Sequence, residues 1–422
     1  MSGMASSSSF SPAFNRLWSA AIASNFADGI LRVSIPLIAV KLTTAPVSIS
    51  AISALGMLPW LLFAIPIGGL ADRINRRTFL AFAHGIRTLT AASVSLAIAT
   101  HHLTIAWLFL AVAVFGTCEV IADTTAQTLI PKLLEKDELE RGNSRLYLAE
   151  TIVQDFMGGP TGGFLYGLAI GVPLFVSSAG YLVAASLILL IPLQAVHDVR
   201  AEGEAAKEHE PFIQSLKFGI KYLYNHKQMR HLVLMTTSIG FCFNFSSATM
   251  ILFILHTLHL KASYFGLAMA IQGSGSIIAS LTAARMSERF GRGRVMGVSM
   301  LVQCMLWVAT AFLTNIVPFV LMGIIMTGLG TYWNILIMAT YQELIPNKLY
   351  GRIHGTRRTL VWGMMPFGSL LGGWVSTFGL RIPIFIGAVL ATLISALNLK
   401  FLLRLVDFAS TVNHDADEEA EL

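Results

Sequence analysis

The stretch GGLADRINRR, from Gly68 to Arg77, places four charged residues between two long apolar runs. A charge in the hydrocarbon core of a bilayer costs about 3 kcal/mol even on lenient scales. The stretch therefore indicates a loop outside the membrane that joins two spanning helices. A second stretch, SERFGRGR, lies between two later apolar runs, and its Glu288 follows Asp72 by 216 residues.

A second pair of landmarks has nearly the same spacing. QTLIP begins at Gln127 and QELIP begins at Gln342, each at the end of an apolar run and 215 residues apart. Two landmarks with one offset predict a duplicated six-helix unit, because transporters are often built from internal repeats. We expect two parallel copies around a cavity at the membrane midplane.

The composition indicates an all-α integral membrane protein. Of the 422 residues, 55% are hydrophobic and 12% are charged, whereas soluble domains carry about 25% charged residues. A spanning helix needs about 20 mostly apolar residues. The apolar runs predict twelve transmembrane helices in two pseudo-symmetric bundles, at 17–42, 48–70, 78–99, 103–130, 144–169, 172–194, 231–256, 264–286, 295–314, 316–339, 354–378 and 382–405.

These spans predict four segments. Residues 1–193 form an N-terminal six-helix half, and residues 231–405 form a C-terminal six-helix half. Between them, residues 194–230 form a polar linker that ends in an amphipathic helix. Residues 406–422 form an acidic tail, whose charge pattern predicts disorder.

The distribution of basic residues predicts the orientation. Most of the 29 Lys and Arg residues lie in loops after even-numbered helices, whereas Lys41, Lys261 and Arg381 lie in loops after odd-numbered helices. By the positive-inside rule, both termini are cytoplasmic in the plasma membrane. The net charge of +6 follows from this topology and gives no argument for a nucleic-acid partner. The N-terminus lacks the pattern of a cleaved signal peptide, so we expect the first helix to be retained.

The sequence shows no motif for ATP hydrolysis, metal binding or a nucleophilic serine. The three cysteines, Cys118, Cys242 and Cys304, lie within predicted spans and favour small buried side chains over disulfides. We therefore expect no enzyme activity and no cofactor. The energy source is then an ion gradient, and a proton is the simplest ion for buried carboxylates.

The loop at residues 68–77 resembles the signature G-x-L-a-D-R-x-G-R-R/K of the major facilitator superfamily. Asn75 replaces its second glycine, and we expect it to keep the tight turn because Asn tolerates positive φ. FGTCEVIADTTAQTLIPKLL, LPW, NFADG and QELIPNKLYGRIHG are similar to the exporter branch that holds macrolide-efflux and siderophore-export proteins. This resemblance implies a bacterial drug:proton antiporter that works as a monomer.

GGPTGGFL resembles the antiporter signature G-P-x-x-G-G. Gly159, Pro160 and Gly163 match, and Phe164 replaces the last glycine. Small residues let helices approach closely, and proline permits a bend. The motif predicts either a hinge or a tight helix contact that any transporter could need.

Four ionisable residues lie at similar depth in the N-terminal half. At 1.5 Å per residue, Asp28, Arg87, Glu119 and Asp155 fall roughly 13–17 Å from the cytoplasmic side. Intramembrane ionisable residues are functional candidates, so we expect these four to couple protons to transport. Alternatively, Glu119 or Asp155 simply pairs with Arg87, and Asp28 neutralises Arg32 on the same helix face.

The resemblance also implies a cytoplasmic gate, in which Asp72 caps the start of helix 11 and motif arginines pair with Asp123. Alternatives for Asp123 are proton carriage and a structural role, and His84 is interpreted as a packing residue. The gate set is Asp72, Arg73, Arg76, Arg77, Asp123, Glu288, Arg289 and Arg292.

Aromatic and polar residues on the expected cavity helices suit bulky amphipathic substrates, although aromatic residues at helical spacing often only pack. The expected cavity residues are Asn25, Phe26, Arg32, Trp60, Phe241, Asn244, Gln272, Trp333, Asn334 and Trp362. The sequence predicts proton-coupled efflux of hydrophobic or amphipathic small molecules by alternating access. The alternatives are a solute importer or facilitator of the same fold and a non-transporting sensor or scaffold.

Overall fold

The computed structural model describes residues 10–71, 74–134, 138, 141–142, 145–146, 149–193, 212–345 and 350–420. Within these residues the chain forms helices and no strand. This agrees with an all-α membrane protein, in which every backbone polar group must be satisfied inside its own helix.

Within the described residues, the first part of the chain contains the following main helical elements. They are α1 (Pro12–Leu42), α2 (Pro46–Ala71), α3 (Arg76–Ala99), α4 (Ile105–Leu133), a π-helix (Ala149–Gly158), α5 (Gly159–Leu168) and α6 (Val172–Leu189).

The remaining part begins with a helix in the linker. Its main helices are α7 (Phe212–Asn225), α8 (Lys227–Ser247), α9 (Phe265–Phe290), α10 (Arg292–Thr310), α11 (Ile316–Leu344), α12 (Tyr350–Gly363), α13 (Met365–Val375) and α14 (Arg381–Ala420). Short helical turns lie at Met250–Leu252, Phe253–Thr257, Ala262–Tyr264 and Ser376–Phe378.

Ten of the described helical stretches are long and apolar enough to cross a membrane. The two other predicted spans are divided into shorter pieces. One consists of the π-helix and α5, and the other consists of α12 and α13. Both divisions lie next to a proline, Pro160 or Pro366, which cannot donate a backbone hydrogen bond. These helices agree with the prediction of an all-α integral membrane protein.

Backbone proximity divides the chain into two compact units. The first unit comprises residues 1–35 and 62–207, and the second comprises residues 36–61 and 208–422. The sequence-based halves differ from this division at residues 36–61, which pack within the second unit. One contact there is the Ser369 hydroxyl, which donates a hydrogen bond of 3.2 Å to the carbonyl of Ser50.

Each unit has its own apolar core. In the first unit, Phe14, Leu80 and Leu129 are among the buried residues of a cluster formed by α1, α3, α4 and α6. In the second unit, Met296 and Tyr341 are among the buried residues of a larger cluster. The helices of each unit therefore pack against one another through buried apolar side chains.

The structure differs from the prediction of a disordered C-terminal tail. The backbone of α14 continues without interruption to Ala420. The sequence DADEEA ends this helix, and its Ala and Glu residues have high helix propensity, which outweighs the repulsion of like charges. In the linker, α7 lies where the amphipathic segment predicts a helix, and it packs against α12.

The expectation of a left-handed turn at Asn75 is also wrong. Asn75 has φ −61° and caps α3, where its side chain accepts a hydrogen bond of 3.2 Å from the Thr78 amide. Asn is a favoured N-cap residue because its side-chain oxygen satisfies an amide at the start of the helix. In the second copy of the loop, Gly291 does adopt positive φ, at +85°. The two loops are related in sequence but turn differently.

A buried charge cluster as candidate functional site

An ion pair between α1 and α3 forms the centre of the candidate site. Arg87 Nη2 donates to Asp28 Oδ1 at 2.6 Å, and Arg87 Nη1 donates to Asp28 Oδ2 at 3.3 Å. The side chain of Arg87 is 3% exposed and that of Asp28 is 17% exposed. Two parallel bonds from a guanidinium to a carboxylate combine charge with strict geometry. Asp28 is therefore held by a residue on another helix.

Tyr181 of α6 completes this arrangement and was not among the residues predicted from the sequence. Its hydroxyl donates to Asp28 Oδ1 at 2.5 Å, and its ring lies 4.6 Å below the guanidinium carbon of Arg87. Tyr181 is fully buried. The tyrosine thus contacts both members of the pair, through a charge-assisted hydrogen bond and a cation–π contact.

Small residues bring α6 close enough for Tyr181 to reach this pair. The Ser177 hydroxyl donates to the Ala27 carbonyl at 3.2 Å, and the Ser178 hydroxyl donates to the Thr88 carbonyl at 2.9 Å. A Cβ added at Gly180 would lie 3.1 Å from the Ala27 Cβ and 3.2 Å from the Ala23 carbonyl oxygen. Such close packing holds three helices in register around one carboxylate.

His84 lies one helical turn before Arg87 and is buried. Its ring stacks on Tyr181 with centroids 6.2 Å apart. Among the described residues, its Nδ1 atom has no hydrogen-bond partner. This placement agrees with a packing histidine, and the unsatisfied nitrogen is notable because buried polar atoms are usually bonded.

Further charges surround the ion pair. Glu119 interacts electrostatically with Asp28, Arg87, Arg32 and Glu150, and Asp123, one turn beyond Glu119 on α4, acts on Arg87 as well. Among the described residues, this group therefore contains more carboxylates than arginines. The predicted participants Asp28, Arg87 and Glu119 come together, whereas the side chain of Asp155 lies outside the described residues.

The predicted hinge lies where the π-helix and α5 pass very close to α1. A Cβ added at Gly158 would lie 2.7 Å from Gly29 Cα, and one added at Gly162 would lie 2.7 Å from the Ile30 carbonyl oxygen. At Gly159, by contrast, an added Cβ would meet its nearest neighbour, a Val33 methyl, at 3.8 Å. The two glycines with these close contacts, Gly158 and Gly162, lie one position before the signature residues Gly159 and Gly163.

A π-helix, Ala149–Gly158, directly precedes α5. A π-helix contains more residues per turn than an α-helix, so it shifts the face presented by the residues that follow. Pro160 is near the start of α5, where a missing amide costs little. Motion at this point stays a prediction.

The predicted gate residues have different surroundings. Arg292 Nη1 pairs with Glu343 Oε2 at 2.5 Å in the second unit, and Arg77 donates to the Leu189 carbonyl at the end of α6. Glu343, part of QELIP, was missed by the sequence reasoning. Asp123, Glu288 and Arg289 are exposed, Arg76 is partly buried, and Asp72 and Arg73 lie outside the described residues.

The predicted cavity residues lie in both units and have different surroundings. Trp333 is 8% exposed and packs in the core of the second unit. Asn25 and Asn244 donate to carbonyls one turn earlier in their own helices, at 2.8 and 3.0 Å. Phe26, Phe241 and Gln272 are partly buried, whereas Arg32 and Asn334 are exposed.

Trp60 and Trp362 do meet, within the second unit. Their ring centroids are 5.8 Å apart in an edge-to-face arrangement. Arg358, which was not predicted as a cavity residue, contacts both rings.

Spanning helices, a duplicated sequence pattern and a buried charge cluster define a membrane transporter of the major facilitator type. Comparison with known proteins agrees with this class. The chain belongs to the major facilitator family described as transmembrane secretion effector, whose sequence model matches residues 6–421.

An uncharacterised MFS-type transporter of Bacillus subtilis strain 168, YceJ, is 25% identical over 335 residues, covering 76% of this chain and 77% of that protein. Among solved structures, a mutant of the nucleoside transporter NupG superposes with a TM-score of 0.72 at 14% identity, covering 92% of this chain and 99% of that one. A bacterial homologue of the iron transporter ferroportin gives 0.68 at 14% identity, covering 91% and 98%. These two structural likenesses concern the fold alone.

Proposed function

We propose that this transporter exports hydrophobic or amphipathic small molecules in exchange for protons, by alternating access in the bacterial plasma membrane. The observation that carries the proposal is the buried Asp28–Arg87–Tyr181 arrangement surrounded by additional carboxylates. A proton on Asp28 would leave the buried Arg87 without its bidentate partner, so proton uptake requires that Arg87 find another carboxylate.

The chemistry of the cluster suggests how protons and conformation are linked. A proton on Asp28 removes the charge that holds Arg87 Nη1 and Nη2. Arg87 then interacts more strongly with Glu119, which already acts on it electrostatically. Since Asp28 is on α1, Arg87 on α3 and Glu119 on α4, a change of partner alters the forces between three helices.

The Arg292–Glu343 pair fits a cytoplasmic lock of the second unit. It joins the start of α10 to the end of α11, and both side chains are partly exposed. We propose that it opens and closes with the transport cycle, alongside the gate that the loop signature implies. The chain is further proposed to act as a monomer in the bilayer, with both termini cytoplasmic.

The experiment uses purified protein in proteoliposomes with an imposed pH gradient and a panel of amphipathic dyes of both charges. Asp28→Asn keeps the side-chain shape but removes the charge, and we expect it to abolish pH-driven dye movement. Glu138→Gln removes one carboxylate from a region between helices and serves as the matched control, with transport retained.

Each result is decisive. Unchanged coupled efflux in Asp28→Asn would remove Asp28 from the mechanism. Uptake in place of efflux by the unmodified protein would favour an importer of the same fold. Efflux that ignores the pH gradient would exclude proton coupling while leaving transport in place.

A further inference from the structure

Helices α8 and α14 of the second unit meet along one seam. His231 of α8 is exposed, and its Nε2 atom shares a hydrogen bond with Oδ1 of Asn398 on α14. The His231 ring also packs on Phe401, with ring centroids 4.3 Å apart. Further along both helices, a Cβ added at Gly387 would lie 2.8 Å from the Cys242 carbonyl oxygen. The two helices therefore run antiparallel along the seam.

Exposed basic residues flank this seam at one end. Along the helix axes, at 1.5 Å per residue, Lys400, Lys227 and Arg404 lie about 3, 6 and 9 Å from the hydrogen bond between the two helices. All three side chains are exposed. Lys227 is the first residue of one candidate membrane span, and the span on α14 ends one residue after Arg404. The three cations therefore lie at the depth of lipid headgroups.

On the other side of the hydrogen bond, the same surface is apolar. Leu234 of α8 is 61% exposed, and Leu397 of α14 is 83% exposed. Leu397 lies seven residues before Arg404, so the two share one face of α14. The surface thus presents apolar side chains next to a group of cations. This is the order of acyl chain and headgroup in a phospholipid.

The local charge favours an anionic headgroup. Residues 211–287 contain no Asp or Glu. Among the described residues, no carboxylate pairs with Lys227, Lys400 or Arg404. The next carboxylate on α14 is Asp407, whose side chain lies outside the described residues, and the three cations outnumber it. The positive-inside rule assigns this end of the helices to the cytoplasm, where basic pockets between spanning helices bind anionic headgroups.

We propose that the seam between α8 and α14 binds an anionic phospholipid, phosphatidylglycerol, from the cytoplasmic leaflet. The lipid phosphate binds Lys227, Lys400 and Arg404, and the acyl chains lie against Leu234 and Leu397. This site concerns the lipid that surrounds the protein, so it goes beyond the proposed export and does not depend on the substrate.

The test is native mass spectrometry of the purified, delipidated full-length protein in detergent. The protein is titrated with phosphatidylglycerol and with phosphatidylcholine of the same acyl chains, which has a phosphate but no net charge. We expect phosphatidylglycerol to bind at least about tenfold more tightly. A cation near an anionic lipid surface contributes about fivefold in affinity, so Lys400→Gln/Arg404→Gln should weaken phosphatidylglycerol at least about tenfold and change phosphatidylcholine little.

Three matched variants separate local charge from general effects. Lys261→Gln/Arg285→Gln removes two charges from exposed positions elsewhere in the second unit and should bind phosphatidylglycerol normally. Lys400→Arg/Arg404→Lys keeps both charges and should keep most of the affinity, which a merely structural role for the two side chains would not predict. Leu397→Ser should weaken both lipids, because it removes apolar contact with the acyl chains.

Equal affinity for the two lipids, or unchanged phosphatidylglycerol binding by Lys400→Gln/Arg404→Gln, would overturn the proposal. An equal loss in the two charge-removing double variants would overturn it as well, because it would show a general attraction to a positive surface. Displacement of the lipid by an equal concentration of inorganic phosphate would assign the cations to a free anion instead. Binding is measured without substrate or ion gradient, so failure of the proposed export leaves this result unaffected.

Discussion

Breaking the Asp28–Arg87 pair should reveal how strongly the two residues depend on each other. Arg87 has a side chain that is 3% exposed, whereas that of Asp28 is 17% exposed. Removing one partner of a buried pair leaves an uncompensated charge, at a cost of about 3–5 kcal/mol. We expect Asp28→Asn to lower the free energy of unfolding by about this amount, because it leaves the more buried charge alone.

Arg87→Gln should cost less, about 1–3 kcal/mol, the range for one unsatisfied buried group. Asp28 then keeps the Tyr181 hydroxyl at 2.5 Å and its partial contact with solvent. The double variant removes both charges and therefore lacks an uncompensated ion. It should be more stable than the sum of the single effects predicts, with a coupling energy of about 2 kcal/mol.

The assay is titration with sodium dodecyl sulfate in mixed micelles, followed by tryptophan fluorescence, for the four members of the cycle. Additive single effects would refute the reasoning, because they would show that each charge finds another partner when the first is removed. A larger loss for Arg87→Gln than for Asp28→Asn would contradict the assignment of Arg87 as the more dependent charge.

Three other variants test neighbouring features. Tyr181→Phe should reduce the free energy of unfolding by about 1.5–3 kcal/mol, the range for a hydrogen bond to a charged group; an unchanged titration midpoint would contradict the bond. Gly158→Ala should destabilise by about 1–3 kcal/mol through steric overlap, while Gly159→Ala should be close to neutral; equal midpoints for the two would argue against the crossing. Arg292→Gln should cost less than about 1 kcal/mol, because its ion pair is partly exposed, yet increase labelling of a cysteine introduced at exposed Arg294. Glu343→Gln should increase the labelling equally, and unequal labelling of the two variants would show that Arg292 and Glu343 do not act as a pair.

The spanning helices follow from the sequence because lipid imposes a simple condition on it. Each span must be apolar over about 20 residues, and the loops carry the charges. The fold class and the linker helix could be read in this way. The grouping of residues 36–61 with the second unit could not, because hydropathy contains no information on which helix packs against which.

Depth along a helix is a single coordinate, and this limits prediction of the site. Depth places Asp28 and Arg87 at one level. It does not show whether Asp28 pairs with Arg32 or with Arg87, or whether Arg87 pairs instead with Glu119 or Asp155. The choice depends on the lateral packing of α1, α3 and α6. Tyr181 was missed because a single tyrosine in an apolar helix resembles a packing residue. The available signal was its hydroxyl, which requires a partner when it is buried.

The π-helix at Ala149–Gly158 has a consequence for insertions and deletions. Loss of one residue from it would rotate all of α5 about its axis by roughly one residue step, about 100° in an α-helix, unless a change from π-helix to α-helix compensated for the deletion. Gly162 would then turn away from Ile30, and a larger side chain would face α1. The number of residues in this segment, more than the identity of any one of them, sets which face of α5 lies beside the helix that carries Asp28.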